Sequence, residues 1–160
     1  MVAVVFRETQ RMPRSWRWPV IALTGCGVVL YVWAASIVGE GSLGTVVGAL
    51  ATLAGLCVGL LATVARMEVV MTRAAVEVRW VPLTRRTFPS ATIVSAEAVA
   101  YRPLRQFGGW GIRFGRGRTR AYSMSGDRAV RLTLVDGSEV FLGSLEPEAL
   151  AGAIERARIR

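Results

Sequence analysis

The sequence predicts a membrane protein in two parts: a two-helix transmembrane hairpin, then an α+β domain. That domain is expected as a small antiparallel barrel or sandwich of about seven strands capped by a C-terminal helix. Three observations carry the expectation. Two long uncharged stretches lie back to back, Trp18 to Gly39 and Gly41 to Ala65, with Glu40 alone between them. After Arg66 the pattern changes to short runs of alternating apolar and polar residues, the period of half-buried strands. The last run returns to helical spacing. Composition agrees: of 160 residues, 52% are hydrophobic, the formal charge is +9, and there are two cysteines. Intrinsic disorder and a disulfide scaffold are thereby excluded. All the basic residues are arginine, a codon bias that says little about chemistry.

Residues 1–18 read as a basic N-terminal tail, with Arg7, Arg11, Arg14 and Arg17 against Glu8. The hairpin occupies 19–65, with spans near 19–38 and 43–64. Roughly 20 apolar residues suffice to cross the ~30 Å hydrocarbon core as a helix. Because Gly39-Glu40-Gly41-Ser42 is only long enough for a turn, the spans are expected to run antiparallel. Arginines flank the outer ends of the pair (Arg17, Arg66), whereas the turn carries only Glu40, so both termini are expected in the cytoplasm and the protein in the cytoplasmic membrane. Trp16, Trp18 and Trp33 suit the headgroup boundary and, with Arg17 and Arg66, serve as interface anchors. Pro19 fits a first helical turn, where its missing N–H costs nothing. A cleavable signal peptide is the competing reading of the first span, since a basic start, an apolar run and Ala34-Ala35-Ser36 share its outline. The apolar run is long for a signal, and the immediate second span makes a hairpin simpler.

In the second span Gly44, Gly48, Ala51, Gly55, Gly59 and Ala62 fall within roughly an 80° arc. A stripe of small residues lets another helix approach closely, because packing drives association inside a bilayer. Two readings stand: this face packs on the first span, where Ala22 and Gly25 are available, or it docks a membrane-protein partner or a second copy. Cys26 and Cys57 lie within the spans as small apolar fillers, and no disulfide is expected between them.

The segment 66–160 is one small domain with its own core. Strands are expected over Met67 to Met71, Val76 to Trp80, Ile93 to Tyr101, Gly111 to Phe114, Ala121 to Met124, Val130 to Leu134 and Val140 to Leu142. Asp136-Gly137 between two alternating runs predicts a hairpin with a tight primed turn. Leu150, Ala153, Ile154 and Ala157 recur at helical spacing behind Pro147, with Glu146 and Glu148 at the start and Arg156 and Arg158 near the end, as the helix dipole favours.

The stretch Arg102-Pro103-Leu104-Arg105-Gln106-Phe107-Gly108-Gly109-Trp110-Gly111-Ile112-Arg113, followed by Ala121-Tyr122 and by Val130-Arg131-Leu132-Thr133-Leu134-Val135-Asp136-Gly137, resembles the bacterial pleckstrin-homology-like membrane proteins of actinobacterial type. The resemblance covers residues 66 to 158, and its specific part is the Phe-Gly-Gly-Trp-Gly-Ile-Arg run. It implies a helical hairpin before a domain of seven strands and a C-terminal helix. It implies no general enzymatic activity and no shared catalytic residues, and no cofactor is expected.

The residues themselves point the same way on chemistry. The glycines from Gly108 to Gly117 match neither a P-loop nor a dinucleotide fingerprint, and no helix follows to hold an anion; they read as turn and close-approach positions around Trp110. With no histidine and no acidic cluster of ligand spacing, neither a metal site nor histidine-dependent catalysis is expected, and the protein is read as non-enzymatic. Nucleic acid is not an expected partner, since no recognised binding motif appears. Arginine density does stand out: Tyr101 to Arg131 holds Arg102, Arg105, Arg113, Arg116, Arg118, Arg120, Arg128 and Arg131 against Asp127 alone. This face is a solvated basic surface, a contact for anionic lipid headgroups, or a site for a phosphorylated ligand or acidic protein. Arg73, Arg113, Arg116, Arg118 and Arg120 are the candidate headgroup contacts, Arg73 entering only through its place in the first inter-strand loop of the resemblance. The leading expectation is an accessory or scaffold subunit of a membrane assembly, with membrane lipids as partners; the alternative is an inner-leaflet sensor of anionic lipid or ligand.

Overall fold

The computed structural model describes residues 4–38 and 43–158, apart from the side chains of Trp16 and Val38. The chain forms two compact units, one of Met12–Ala65 and one of Met1–Arg11 together with Arg66–Arg160.

The first unit is two helices, α1 (Arg14–Val38) and α2 (Leu43–Val64). They run antiparallel: Thr24 lies against Gly55 and Gly59, and Tyr31 against Gly48. α1 starts earlier than its apolar run, because Ser15 and Arg17 are tolerated in a helix and Arg17 N already donates to Pro13 O at 3.1 Å. Pro19 therefore falls inside the helix and not in its first turn as expected. The connecting turn, Glu40 included, lies outside the described residues.

The second unit contains nine strands among the described residues, in two sheets. One sheet holds β1 (Val4–Arg11), β2 (Arg66–Thr72), β3 (Ala75–Val81) and β4 (Thr84–Pro89) in that order. A short 3-10 turn over Ser90–Thr92 leads into β5 (Ile93–Ala100). Then come helix α3 (Pro103–Phe107), β6 (Gly111–Phe114), β7 (Thr119–Ser123), β8 (Arg128–Leu134), β9 (Glu139–Gly143) and helix α4 (Pro147–Arg158). The second sheet has the order β5-β8-β9-β7-β6.

Four expectations are corrected here. Residues 4–11 are not a tail but a strand paired with β2, from Val4↔Thr72 to Arg11↔Arg66. Thr84–Pro89 is an unexpected strand, raising the count above seven. The sheets are not wholly antiparallel, since β7 and β9 run parallel with Thr119 opposite Glu139. The Asp136-Gly137 turn is not primed: Gly137 alone has positive φ (75°), and its N–H donates to Leu134 O, which gives a three-residue loop closing on a glycine bulge.

The core follows the period-two pattern. Met67, Val69 and Met71 of β2 and Val76 and Val78 of β3 are buried, as are Val130 and Leu132 of β8 and Val140 and Leu142 of β9. α4 adds Leu150, Ala151, Ala153 and Ile154, and packs on β5 and β8 while reaching β1 and β2. Each fully buried Leu or Ile contributes about 1.5–3 kcal/mol. α4 also protects an edge strand, because Glu155 Oε1 accepts the Ala96 N–H of β5 at 2.8 Å. A smaller aromatic cluster of Tyr101, Phe107 and Phe141, with Ala121 and Ala129, roots α3 on the second sheet. Its Phe107 and Phe141 rings lie 5.4 Å apart.

Candidate functional site

The small-residue stripe of α2 meets α1 through residues other than those expected. Gly25 has nothing within contact distance of a Cβ and Ala22 is exposed, whereas Thr24 and Tyr31 fill the approach. Thr24 Oγ1 donates to Val20 O at 2.8 Å and makes a longer contact of 3.4 Å to Gly55 O, tying the helices together inside an apolar setting. A Cβ at Gly48 would stand 2.8 Å from Tyr31 Cδ2, and one at Gly59 would stand 3.2 Å from Thr24 Oγ1. Ala62 is buried. Much of the stripe also lines a groove of about 800 Å³ between the helices, where Gly44, Gly48, Ala51 and Gly55 face Thr24, Tyr31 and Ala34. This face is thus part closed by α1 and part open. Cys26 and Cys57 are free and exposed on the helix surfaces.

The residues expected as interface anchors divide between the units. Arg17, Trp18 and Trp33 are on α1, and Trp18 and Trp33 are 67% and 64% exposed. Trp16 is also on α1, its side chain outside the described residues. Arg66 opens β2, and its Nε donates to Glu68 Oε1 at 2.9 Å.

The arginine-rich run forms the β6–β7 hairpin, with Arg113 opposite Ala121 and Phe114 opposite Arg120. Gly115 is required at its neck: a Cβ there would meet Phe107 Cε1 at 2.8 Å and Thr119 Cβ at 3.2 Å. Several of the arginines are occupied. Arg113 Nε donates to Trp110 O at 3.0 Å, and Arg118 Nη1 donates to Asp136 O at 2.8 Å. Arg131 pairs with Glu97 at 2.6 Å and Arg128 with Glu148. The hydrogen bond and charge of Glu97 hold Arg131 above its ordinary pKa, and hydrogen bonds from the Ser138 hydroxyl and N–H hold Asp136 below the usual carboxylate range. The Arg120 guanidinium lies 5.6 Å from the centroid of Phe114, whose side chain is 74% exposed. Arg116 at the tip is exposed.

Arg73, in the turn between β2 and β3, belongs to the other sheet but to the same end of the unit. Ser90 N donates to Ala74 O, Val135 N to Thr92 O, and Arg118 to Asp136 O, so the turns bearing Arg73, Asp136 and Arg118 are linked in series. The opposite end is linked in the same manner, since Gln10 Nε2 near the end of β1 donates to Gly143 O at the end of β9. Arg66 opens β2 and Arg73 directly follows its other end, about 20 Å away at strand rise.

The Phe-Gly-Gly-Trp-Gly run turns sharply through Gly108, Gly109 and Gly111, all at positive φ. Trp110 Nε1 donates to Gly126 O at 2.8 Å, and the indole lines a shallow depression with Arg102, Arg105 and Asp127. Burial raises the pKa of the Tyr101 hydroxyl nearby, and the negative charge of Asp127 adds to the effect. Among the described residues no group of three or more His, Cys, Asp or Glu is placed to hold a metal ion.

The residues that sequence reasoning missed are Glu8 and Gln10. The Glu8 carboxylate accepts from Ser144 Oγ at 2.6 Å, Leu145 N at 2.8 Å and Gln10 Nε2 at 2.6 Å, joining β1 to the segment between β9 and α4. Gln10 is 2% exposed. Glu8 and Gln10 occupy two of the three inward positions of this strand, beside Phe6, so no apolar alternation announced it. Comparison with family models, with curated proteins and with solved structures finds no match to the chain.

Proposed function

We propose that this is a membrane-anchored interaction protein, non-enzymatic, acting as an accessory or scaffold subunit of a membrane assembly. Its helices cross the cytoplasmic membrane as an antiparallel pair, with both flanks in the cytoplasm. The observation that carries the reading is the exposure of two helices that have every reason to be buried. The Arg17–Ile37 and Leu43–Val64 segments have mean hydropathies of 2.0 and 2.2, yet 0% and 11% of their most apolar windows are buried inside the protein. Leu23 is 76% exposed, Leu30 63%, Leu43 81% and Leu50 62%. At about 1.5–3 kcal/mol per such side chain, leaving more than a dozen of them in water costs on the order of tens of kcal/mol, more than a domain's whole stability. A bilayer removes that cost.

Orientation has its own support. β1 and β2 flank the helix pair and are hydrogen-bonded to one another, so both ends of the pair open on one side of a membrane. Five arginines (Arg7, Arg11, Arg14, Arg17, Arg66) lie on that side, which favours the cytoplasm. Cleavage behind α1 would remove β1 from its sheet, which counts against a signal peptide. The pleckstrin-homology-like character of the β-rich unit is part of the proposal, supported by two sheets followed by a C-terminal helix.

The assembly role rests on the open small-residue groove between α1 and α2. Native mass spectrometry after purification in mild detergents tests it. A stoichiometric membrane-protein partner or a second copy, lost in Ala51→Leu, is expected; a lone monomer under all conditions contradicts the role. A second reading, binding of an anionic ligand or lipid, is favoured by the gathering of Arg73, Arg116, Arg118 and Arg120 beside the exposed Phe114 at one end of the unit. It fails if binding of the full chain in nanodiscs to anionic vesicles is unchanged when these arginines are replaced.

A further inference from the structure

In the first sheet the strand ends that lead into the apolar helices lie side by side. Arg11 closes β1 and Arg66 opens β2, and the two are opposite one another in the ladder. Arg66 is in turn opposite Val81, the last residue of β3. Three neighbouring strands therefore end in one row, and from two of them the chain passes into the apolar helices through short links, Met12-Pro13 on one side and Ala65 on the other. The third strand turns back at the same end, through Pro82 and Leu83, to Thr84 of β4.

That turn is chemically odd for one facing water. Tight turns are normally filled by Gly, Asn, Asp or Ser around a Pro, but here the sequence is Trp80-Val81-Pro82-Leu83. The turn is well formed, with Leu83 N donating to Trp80 O at 2.7 Å. Leu83 is nonetheless 60% exposed, and Pro82 is exposed beside it. Neighbouring strands are about 4.8 Å apart, so the tip lies within roughly 10 Å of the Arg66 strand end. Arg85 and Arg86 follow it on β4, both exposed, with Arg85 paired to Glu77 at 2.6 Å.

We propose that the Val81–Thr84 turn is a third membrane contact: Pro82 and Leu83 enter the headgroup layer beside the two points where the chain crosses. The inference rests on the reading that α1 and α2 span a bilayer. It also separates two basic surfaces. The end bearing Arg66 and Leu83 meets lipid, and the end bearing Arg73 and Arg118 is the one a strand length away.

Site-specific quenching tests it on the full chain, with Cys26 and Cys57 replaced by alanine. Single cysteines introduced by Leu83→Cys, Pro82→Cys, Leu50→Cys and Arg116→Cys are labelled with an environment-sensitive fluorophore. Each protein is reconstituted in phosphatidylcholine–phosphatidylglycerol vesicles containing lipid spin-labelled either near the headgroup or deep in the acyl chain. The expected result is loss of fluorescence at Leu83 and Pro82 with the shallow quencher, and at Leu50 with the deep one. If Leu50 is quenched but both turn positions respond only to a water-soluble quencher, the turn proposal is overturned while the spanning reading stands. If Leu50 is not quenched by lipid at all, the spanning reading falls, and the turn proposal with it.

Discussion

Replacing Met12–Ala65 by Asn-Gly should convert this protein into a soluble, cooperatively folding domain. Arg11 and Arg66 are antiparallel partners at the end of their ladder, with Cα atoms about 4.5–5.5 Å apart, a gap that a two-residue Asn-Gly turn closes without strain. The informative comparison is the fragment Arg66–Arg160, which lacks β1. It loses the buried bond from Gln10 Nε2 to Gly143 O and the two bonds that the Glu8 carboxylate accepts from Ser144 Oγ and Leu145 N. At about 1 kcal/mol for the first and about 1.5–3 kcal/mol for each bond to a charged acceptor, this amounts to roughly 4–7 kcal/mol before the β1–β2 ladder is counted. A domain of this size has about 5–15 kcal/mol in all, and the fragment also leaves β2 as a bare edge. Urea unfolding followed by circular dichroism should therefore give a sigmoidal transition for the linked domain and little or none for the fragment. Equal midpoints for the two, or a linked domain that stays insoluble without detergent, would refute the assignment of residues 4–11 to the sheet.

Two further predictions follow from single contacts. Gly48→Ala places a methyl 2.8 Å from the Tyr31 ring, and should lower the thermal stability of the helix pair in detergent by about 1–3 kcal/mol; Tyr31→Ala in the same chain should recover part of that loss. Glu77 carries a pH dependence: its burial pushes the pKa up, but hydrogen bonds from the Arg79 and Arg85 guanidiniums outweigh that and hold it below the ordinary carboxylate value. A depressed folded pKa gives stability that is present above the unfolded value near pH 4 and lost as pH falls through the folded one. Urea midpoints of the linked domain should thus drop on acidification below about pH 4, and Glu77→Gln should flatten this component while costing about 1 kcal/mol at neutral pH, the arginines being partly exposed.

The legible parts of the fold were those with a strong period. α2 ends where its apolar run ends, Val130 and Leu132 of β8 and Val140 and Leu142 of β9 are buried at alternate positions, and α4 shows Pro147 at its start and Leu150, Ala153 and Ile154 on its buried face. β1 and β4 were illegible for a shared reason: both are edge strands, so their faces are less fully buried and their sequences less patterned. In β1 the inward positions are Phe6, Glu8 and Gln10, and in β4 the run Thr84 to Thr87 is polar throughout. The parallel pairing of β7 with β9 has no local signature, because it is set by how α3 and the β6–β7 hairpin fold back. The arginine hairpin was visible as charge, but the partners that occupy Arg113 and Arg118 are backbone carbonyls, which no sequence pattern announces. Likewise the stripe of small residues on α2 was plain, whereas its contacts, Thr24 and Tyr31, are set by the helix register.

In the proposed topology α1 and α2 cross a membrane with both flanks on the cytoplasmic side. Labelling of intact cells and of permeabilised cells with a membrane-impermeant maleimide tests it most directly, using single cysteines at Glu40→Cys and Ser138→Cys in the chain lacking Cys26 and Cys57. Glu40→Cys should be labelled from outside in intact cells, and Ser138→Cys only after permeabilisation. Labelling of Ser138→Cys from outside, or protection of both positions alike in intact cells, would contradict it.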